Sequence, residues 1–376
     1  MIKAGALYFA IVIALVIAII SASLIMLASH YRNMYLKEIR FTRLQNNIST
    51  GIEISLLNKI NMDTVELDLY GNGTDSVFIK KKSWGVFDLA VVSTYILQDT
   101  LQKAFLIGNL PDSLSVYLSD EDRPLSISGT TKIRGSVRLP KSGLRKSYVN
   151  GKSYSNSELI YDGKVLKSTR YLTALDTILI KKIKKRFTHT SSELPLLDRA
   201  EITQSFLDST LSFRLKPRAI LKNIKLKGNL VLYADSSVKV SSTSELEGVQ
   251  IYAPYIQIED GFKGNCQLFA SDSISIGKNA SLNYPSVAGV ISSEKVERFP
   301  KITLAEHARF EGILFTYEAK RSALQTLVSL QRNSLVKGEV YAGLIKLDSG
   351  VRVEGKVTCN RFLMQSSHTI YENIII

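Results

Sequence analysis

The feature that most constrains this chain is an apolar run near its start, from Ala4 to Ala28, which contains no charged residue. A helix rises about 1.5 Å per residue, so a run of this length crosses the ~30 Å hydrocarbon core of a bilayer. Apolar residues continue past Ser21 to Ser23, unlike the polar start that follows the cleavage site of a secretory signal. The sequence therefore predicts a retained transmembrane anchor over residues 1–30, with the lipid bilayer as a partner.

A helical pattern continues beyond the anchor, with basic and polar residues between the apolar ones. The apolar positions recur at steps of three and four residues: Phe41, Leu44, Ile48, Ile52, Leu56 and Ile60. This spacing places them on one face of a helix and predicts an amphipathic stalk over residues 31–62. Periodicity alone allows either one continuous helix or an anchor followed by a separate helix.

A short motif, Lys3-Ala4-Gly5, stands immediately before the apolar run. It resembles the class III signal of type IV pilins and pseudopilins, over about the first sixty residues. In that family a prepilin peptidase cuts after the glycine, which implies processing between Gly5 and Ala6 within a leader of residues 1–5. Major pilins carry a Glu at the fifth mature position, where this chain has Ala10. The resemblance therefore implies a minor subunit whose helix packs with other pilus or secretion-assembly subunits.

The side of the membrane on which the body lies is open from the residues alone. Lys3 and the terminal amine precede the anchor, and four cations follow it: Arg32, Lys37, Arg40 and Arg43. By the positive-inside rule this count favours a cytoplasmic body. The pilin resemblance implies the opposite orientation. We expect a single-pass protein of the cytoplasmic (inner) membrane with its body outside the cytoplasm.

The rest of the chain has the periodicity of strands, so the predicted fold class is mainly β. Apolar and polar residues alternate over residues 63–123, which predicts a small antiparallel sheet on the stalk. Residues 124–219 begin with short apolar triplets around Gly129 and Gly135, typical of a first solenoid coil, and continue as an inserted region. Glycine-led apolar runs return over residues 220–376 at spacings of 16 to 20 residues, which predicts an irregular parallel β-helix. Two insertions are expected, at about residues 284–300 and 318–331, the second as a short helix.

The glycine-led runs also resemble bactofilins, which polymerise end to end. This gives an alternative function, a membrane-tethered cytoskeletal scaffold. A third reading is an extracellular glycan-modifying enzyme; in the acyltransferase version of the enzyme reading, His307 would be the general base. The recurring aspartates stand beside Gly or Ser, as turn residues do: Asp235, Asp260, Asp272 and Asp348. The sequence predicts no catalytic residue, metal ligand or cofactor, and hence a structural or interaction protein.

The chain carries a formal net charge of +14, which attracts polyanions. The densest basic run lies between Ile180 and Phe187, and its cations are the anion-binding candidates: Lys181, Lys182, Lys184, Lys185 and Arg186. Their partner would be DNA or an acidic polysaccharide, and the alternative is a solvated helix or strand face. Cys266 and Cys359 stand in apolar alternating runs, which predicts two small buried core residues rather than a disulfide framework.

Overall fold

The computed structural model describes residues 4–57, 64–71, 73, 75–108, 113–187, 193–292, 299–319, 325–366 and 369–376. The chain divides into two compact units, Met1–Gly108 (unit 1) and Asn109–Ile376 (unit 2). Unit 1 consists of one long helix and a four-stranded antiparallel sheet in the order β1-β2-β3-β4. Its elements are α1 (Ala4–Leu56), β1 (Val65–Leu67), β2 (Asp75–Trp84), β3 (Phe87–Ile96) and β4 (Asp99–Ile107).

Helix α1 is continuous over 53 residues, so of the two arrangements that periodicity allowed, the structure has the single long helix. No proline occurs in this part of the sequence, so every backbone amide remains available for the helical hydrogen bonds. Residues 5–39 are exposed throughout. By length and composition this part of α1 is able to cross a membrane.

The second half of α1 packs on the sheet. Leu44 and Ile48 are buried on the helix, and Val77 and Val92 are buried on the facing strands. The close approach depends on Gly51, because a Cβ atom there would lie 2.6 Å from Cγ1 of Val92 and 2.9 Å from Cγ1 of Val77. The helix and the sheet are therefore in direct van der Waals contact at Gly51.

Polar groups of the stalk also bind the sheet. Asp75 is 1% exposed and accepts a hydrogen bond from Nδ2 of Asn47 at 3.2 Å. Nε of Arg43 lies 2.5 Å from the same carboxylate oxygen, and Nε of Arg40 lies 2.6 Å from Oδ2 of Asp99. Two cations of the stalk are thus ion-paired with the sheet of unit 1.

Unit 2 is built on one large, mainly parallel sheet that closes on itself. Its elements are β5 (Leu114–Leu118), β6 (Leu125–Ile127), β7 (Ser136–Leu139), β8 (Leu144–Lys146), β9 (Tyr148–Val149), β10 (Lys152–Ser153), β11 (Val165–Lys167), α2 (Thr177–Phe187), β12 (Glu201–Gln204), β13 (Leu211–Arg214), β14 (Ala219–Leu221), β15 (Lys225–Gly228), β16 (Leu230–Tyr233), β17 (Val238–Val240), β18 (Glu245–Ile258), β19 (Lys263–Ile276), β20 (Ser281–Ile291), β21 (Lys301–Leu304), β22 (Arg309–Tyr317), β23 (Leu327–Leu330), β24 (Leu335–Leu347), β25 (Arg352–Gln365), β26 (Ile370–Glu372) and β27 (Ile374–Ile375).

Parallel pairing stacks these strands in layers, and equivalent residues form columns along the stack. One column is apolar and fully buried from layer to layer, and runs through Leu232, Ile251, Leu268, Ala288, Leu314 and Val340. A second buried column runs through Val238, Ile256, Ile274, Ile302, Val328 and Ile345. The alternating residues of the sequence therefore meet in one core on the inner side of the closed sheet.

The stack continues past β25 onto strands from much earlier in the chain. Val357 of β25 pairs with Val116 of β5, Val116 pairs with Val137 of β7, and Val137 pairs with Val165 of β11. The boundary between the units accordingly falls at Gly108, earlier than the sequence boundary at residue 123, because β5 belongs to the stack of unit 2.

The predicted insertions need correction where the structure describes them. Leu327 to Leu330, expected in a short helix, form strand β23 between β21 and β24, because Val328 continues an inward apolar column. Likewise β20 carries Val287 and Ala288 within the stack. Residues 293–298 and 320–324, about a third of each expected insertion, lie outside the described residues.

Candidate functional site

An outward-facing column of unit 2 carries an aromatic ring on most layers. Strand register places these residues in sequence along the stack: Tyr233, Tyr252, Phe269, Gly289, Phe315, Tyr341, Thr358 and Tyr117. Ring centroids are 5.4 Å apart between Tyr233 and Tyr252, and 4.9 Å apart between Tyr252 and Phe269. The ring of Phe315 fills the space above Gly289, where a Cβ atom would come within 2.4 Å of it. We refer to this set as the aromatic column.

Residues 169–187, the crossover segment, lie on the aromatic column. Oη of Tyr117 is 2.8 Å from Oγ1 of Thr169, and Oη of Tyr341 donates to the carbonyl of Thr173 at 3.0 Å. Helix α2 follows, with Ile180 buried on its inner face. The segment thereby covers apolar rings that would otherwise face water.

The residues at both ends of helix α2 stabilise the helix termini. Oδ1 of Asp176 accepts hydrogen bonds from the backbone amides of Ile178 and Leu179, and so caps the first turn. Lys184, Lys185 and Arg186 occupy the last turn, where positive charge complements the helix dipole.

All five anion-binding candidates lie on α2, and two of them, Lys184 and Arg186, contact tyrosines. Nη1 of Arg186 donates to Oη of Tyr233 at 3.2 Å, and its guanidinium carbon is 5.9 Å from the ring centroid of Tyr252. Nζ of Lys184 lies 5.1 Å from the ring centroid of Tyr317. Lys181 points to solvent. The basic run therefore also attaches α2 to tyrosines through cation–π contacts, and anion binding by it stays a prediction.

The buried tyrosines have shifted acidities. Burial raises the pKa of Tyr252, against the opposing effect of Arg186. Burial also raises the pKa of Tyr341 to about 12. Both phenols therefore stay protonated at neutral pH and act as packing and hydrogen-bonding groups.

Apart from the aromatic column, the first residues of strands β19, β20, β22, β24 and β25 form a polar surface. A column in register there runs through Lys263, Ser281, Arg309, Leu335 and Arg352. Beside it runs a corner where Asn279, His307 and Asn333 adopt positive φ. Together these residues line an open groove of about 820 Å³, which we call the basic groove.

Backbone hydrogen bonds hold the corner in register from one layer to the next. The amide of Asn279 donates to the carbonyl of Glu306 at 3.1 Å, and that of His307 donates to the carbonyl of Arg332, also at 3.1 Å. His307 occupies the position that Asn279 and Asn333 occupy in neighbouring layers, since all three adopt the left-handed conformation of a tight turn. Its place in the fold is that of a turn residue.

The cations of the basic groove differ in whether an acidic side chain lies near them. Arg352 is paired with Glu354, with 2.7 Å between Nη2 and Oε1. In the part of the chain that the structure describes, no acidic side chain lies within ion-pairing distance of Lys263 or Arg309, and both are exposed. Lys263 and Arg309 thus face the groove with no acidic partner among the described residues.

The remaining candidate groups have structural surroundings. Oδ1 of Asp260 accepts a hydrogen bond from the backbone amide of Lys278 at 2.7 Å, as a turn aspartate does. Cys266 and Cys359 are free and fully buried, which confirms the prediction of two core residues. Burial raises the pKa of the Cys266 thiol to about 12. Within the described residues, no three His, Cys, Asp or Glu side chains converge as metal ligands.

The processing candidates Gly5 and Ala6 lie at the exposed start of α1. Lys3, which completes the motif, lies outside the described residues. Comparison of the chain with protein-family models, with curated proteins and with solved structures finds no match.

Proposed function

We propose that this protein is a membrane-anchored structural subunit, similar to a minor pilin, that displays unit 2 outside the cytoplasmic membrane. One observation carries the proposal: α1 is a single helix whose first half is apolar and bare and whose second half packs on an antiparallel sheet. A bare apolar half suits lipid or neighbouring helices, and a packed half suits a folded head. This is the architecture that the Lys3-Ala4-Gly5 motif implies.

The limits of the apolar surface support a membrane position for the first half of α1. Exposed apolar residues extend from Leu7 to Leu27 without a charge, and Tyr31 and Tyr35 follow them. Tyrosines prefer the interface between lipid and water, where the ring is buried and the hydroxyl is wet. The stalk would then leave the bilayer near Tyr31.

The cations after the anchor favour a cytoplasmic body by count, because the positive-inside rule counts Lys and Arg near the membrane and gives Asp and Glu little weight. Arg40 and Arg43 are ion-paired with Asp99 and Asp75 within unit 1, which does not remove them from this count. The proposed export therefore rests on the resemblance of the Lys3-Ala4-Gly5 motif to the pilin signal.

We further propose that the closed sheet of unit 2 is a parallel β-helix. In support, columns of equivalent residues recur on successive layers, and glycines stack at one position through Gly312, Gly338 and Gly355. The same fold would serve the alternative scaffold, which polymerises on the cytoplasmic side. The two proposals therefore differ in the side of the membrane.

Replacement of Gly5 by Leu is expected to leave the chain unprocessed in cells that possess a prepilin peptidase. The unchanged chain should begin at Ala6, because the peptidase accepts a small residue before the cut. The change Ala14→Leu, which adds the same bulk within the apolar run, is the matched control and should be processed normally. N-terminal sequencing reports the result. If the chain without substitutions still carries Ile2, the proposed resemblance to the pilin family is overturned.

A further inference from the structure

The basic groove extends along the stack rather than along a strand. It crosses five layers, from Lys263 to Arg352, and layers of a sheet are about 4.8 Å apart. Its length is therefore about 19 Å, and it is open to solvent along one side. This shape suits a segment of a linear polymer better than a compact small molecule.

The two cations without a described acidic partner are separated by one layer. Lys263 and Arg309 stand on alternate layers with Ser281 between them, so they are about 10 Å apart. Parallel strands hold their backbones rigidly, although the side chains remain exposed. An acidic polymer with a negative group at a similar interval would meet both cations without distorting the sheet.

Neutral polar groups line the groove together with the cations. The lining includes the amides of Asn279, Asn283 and Asn333 and the hydroxyl of Ser281. An amide donates and accepts hydrogen bonds, and a hydroxyl does the same, so this lining matches a ligand that is rich in hydroxyl groups.

We propose that the basic groove binds an acidic polysaccharide, with its carboxylates on Lys263 and Arg309 and its hydroxyls on the asparagine side chains. Nucleic acid fits less well, because single strands stack their bases on aromatic rings, and the described residues that line the groove include no Phe, Tyr or Trp.

The binding test uses the full-length chain in nanodiscs of neutral lipid, with polygalacturonate as the probe and dextran as the uncharged comparison. The groove variant is Lys263→Gln/Arg309→Gln. The matched control is Lys181→Gln/Lys185→Gln, which removes the same charge from exposed positions of α2. Circular dichroism and thermal unfolding establish that each variant keeps its fold.

The groove variant is expected to bind polygalacturonate about tenfold more weakly, since two exposed charge contacts are lost. The α2 control should stay within about twofold of the unchanged chain, and dextran should not bind. A second variant, Ser281→Lys, places a cation between the existing two and should tighten binding severalfold.

Four results would overturn the inference. An equal loss in both double variants would mean that net charge alone attracts the polymer. A larger loss in the α2 control would move the site to the basic run. Stronger binding of duplex DNA than of polygalacturonate, or no binding of polygalacturonate, would reject the ligand class. None of these results bears on processing at Gly5 or on the side of the membrane.

Discussion

Replacement of Gly338 by Ala is expected to lower the free energy of unfolding of unit 2 by about 3 kcal/mol or more. A Cβ atom at this position would lie 2.0 Å from the carbonyl oxygen of Gly312 in the neighbouring layer, well inside van der Waals contact. The backbone φ is +135°, a value that residues with a side chain rarely adopt. Because the obstacle is backbone, the layers would have to separate and their hydrogen bonds would lengthen.

Thermal unfolding followed by far-ultraviolet circular dichroism measures this effect. The matched control is Gly261→Asn, since Gly261 also has positive φ but has no atom within 4 Å of an added Cβ. Asn279 and Asn333 already occupy the equivalent corner in other layers, so this change should cost less than about 1 kcal/mol. Equal effects of the two substitutions would mean that the glycines do not stack closely.

Replacement of Gly51 by Leu is expected to destabilise unit 1 by about 2–3 kcal/mol. The new side chain would collide with Val92 and Val77, whose Cγ1 atoms already lie within 3 Å of an added Cβ. Helix α1 would have to move away from the sheet, which would also stretch the contacts of Asp75 with Asn47 and Arg43. The substitution would therefore weaken both the apolar and the polar attachment of the stalk.

The single tryptophan of the chain allows the loss of stability in unit 1 to be measured. Trp84 is buried in β2, so its fluorescence follows the unfolding of the sheet in denaturant. The change Ser49→Leu adds the same side chain to an exposed position of α1 and should change stability by less than about 0.5 kcal/mol. If Gly51→Leu leaves the denaturation midpoint unchanged, the helix does not pack on the sheet as described.

Local patterns in the sequence predicted the parts of the fold that depend on neighbours in the chain. The uncharged run and the three-and-four spacing of Leu44 and Ile48 indicated α1, which is continuous because no proline interrupts it. Alternation indicated the strands. The glycine-led runs indicated positions such as Gly312 and Gly338. These two residues pair in neighbouring layers, and neither position has room for a side chain.

Contacts between distant parts of the chain were not predicted. The pairing of Val116 with Val357 joins residues that no local period relates, so the first strands of unit 2 were assigned to the wrong neighbours. The aromatic column had a signal, an aromatic residue after an inward aliphatic one, as in Leu232-Tyr233 and Ile251-Tyr252. It is recognisable once the register of the layers is known.

The candidate sites also include some that are evident from adjacent residues and some that depend on contacts between distant parts of the chain. The basic run on α2 was evident because its cations are adjacent in sequence, whereas its contacts with Tyr233 and Tyr317 were not. Lys263 and Arg309 are isolated cations in sequence and come together through the stacking of layers. Each is the first residue of its long strand, β19 or β22, which is the signal that a register-based search would use.

The side of the membrane on which unit 2 lies is the central claim, and labelling of a single introduced cysteine tests it most directly. The native Cys266 and Cys359 are buried, and the raised pKa of Cys266 keeps that thiol protonated, so background labelling is low. Ser242→Cys provides an exposed thiol in unit 2. A membrane-impermeant maleimide applied to spheroplasts should label it as fully as it does after lysis. Labelling that appears after lysis alone would contradict the account and favour the cytoplasmic scaffold.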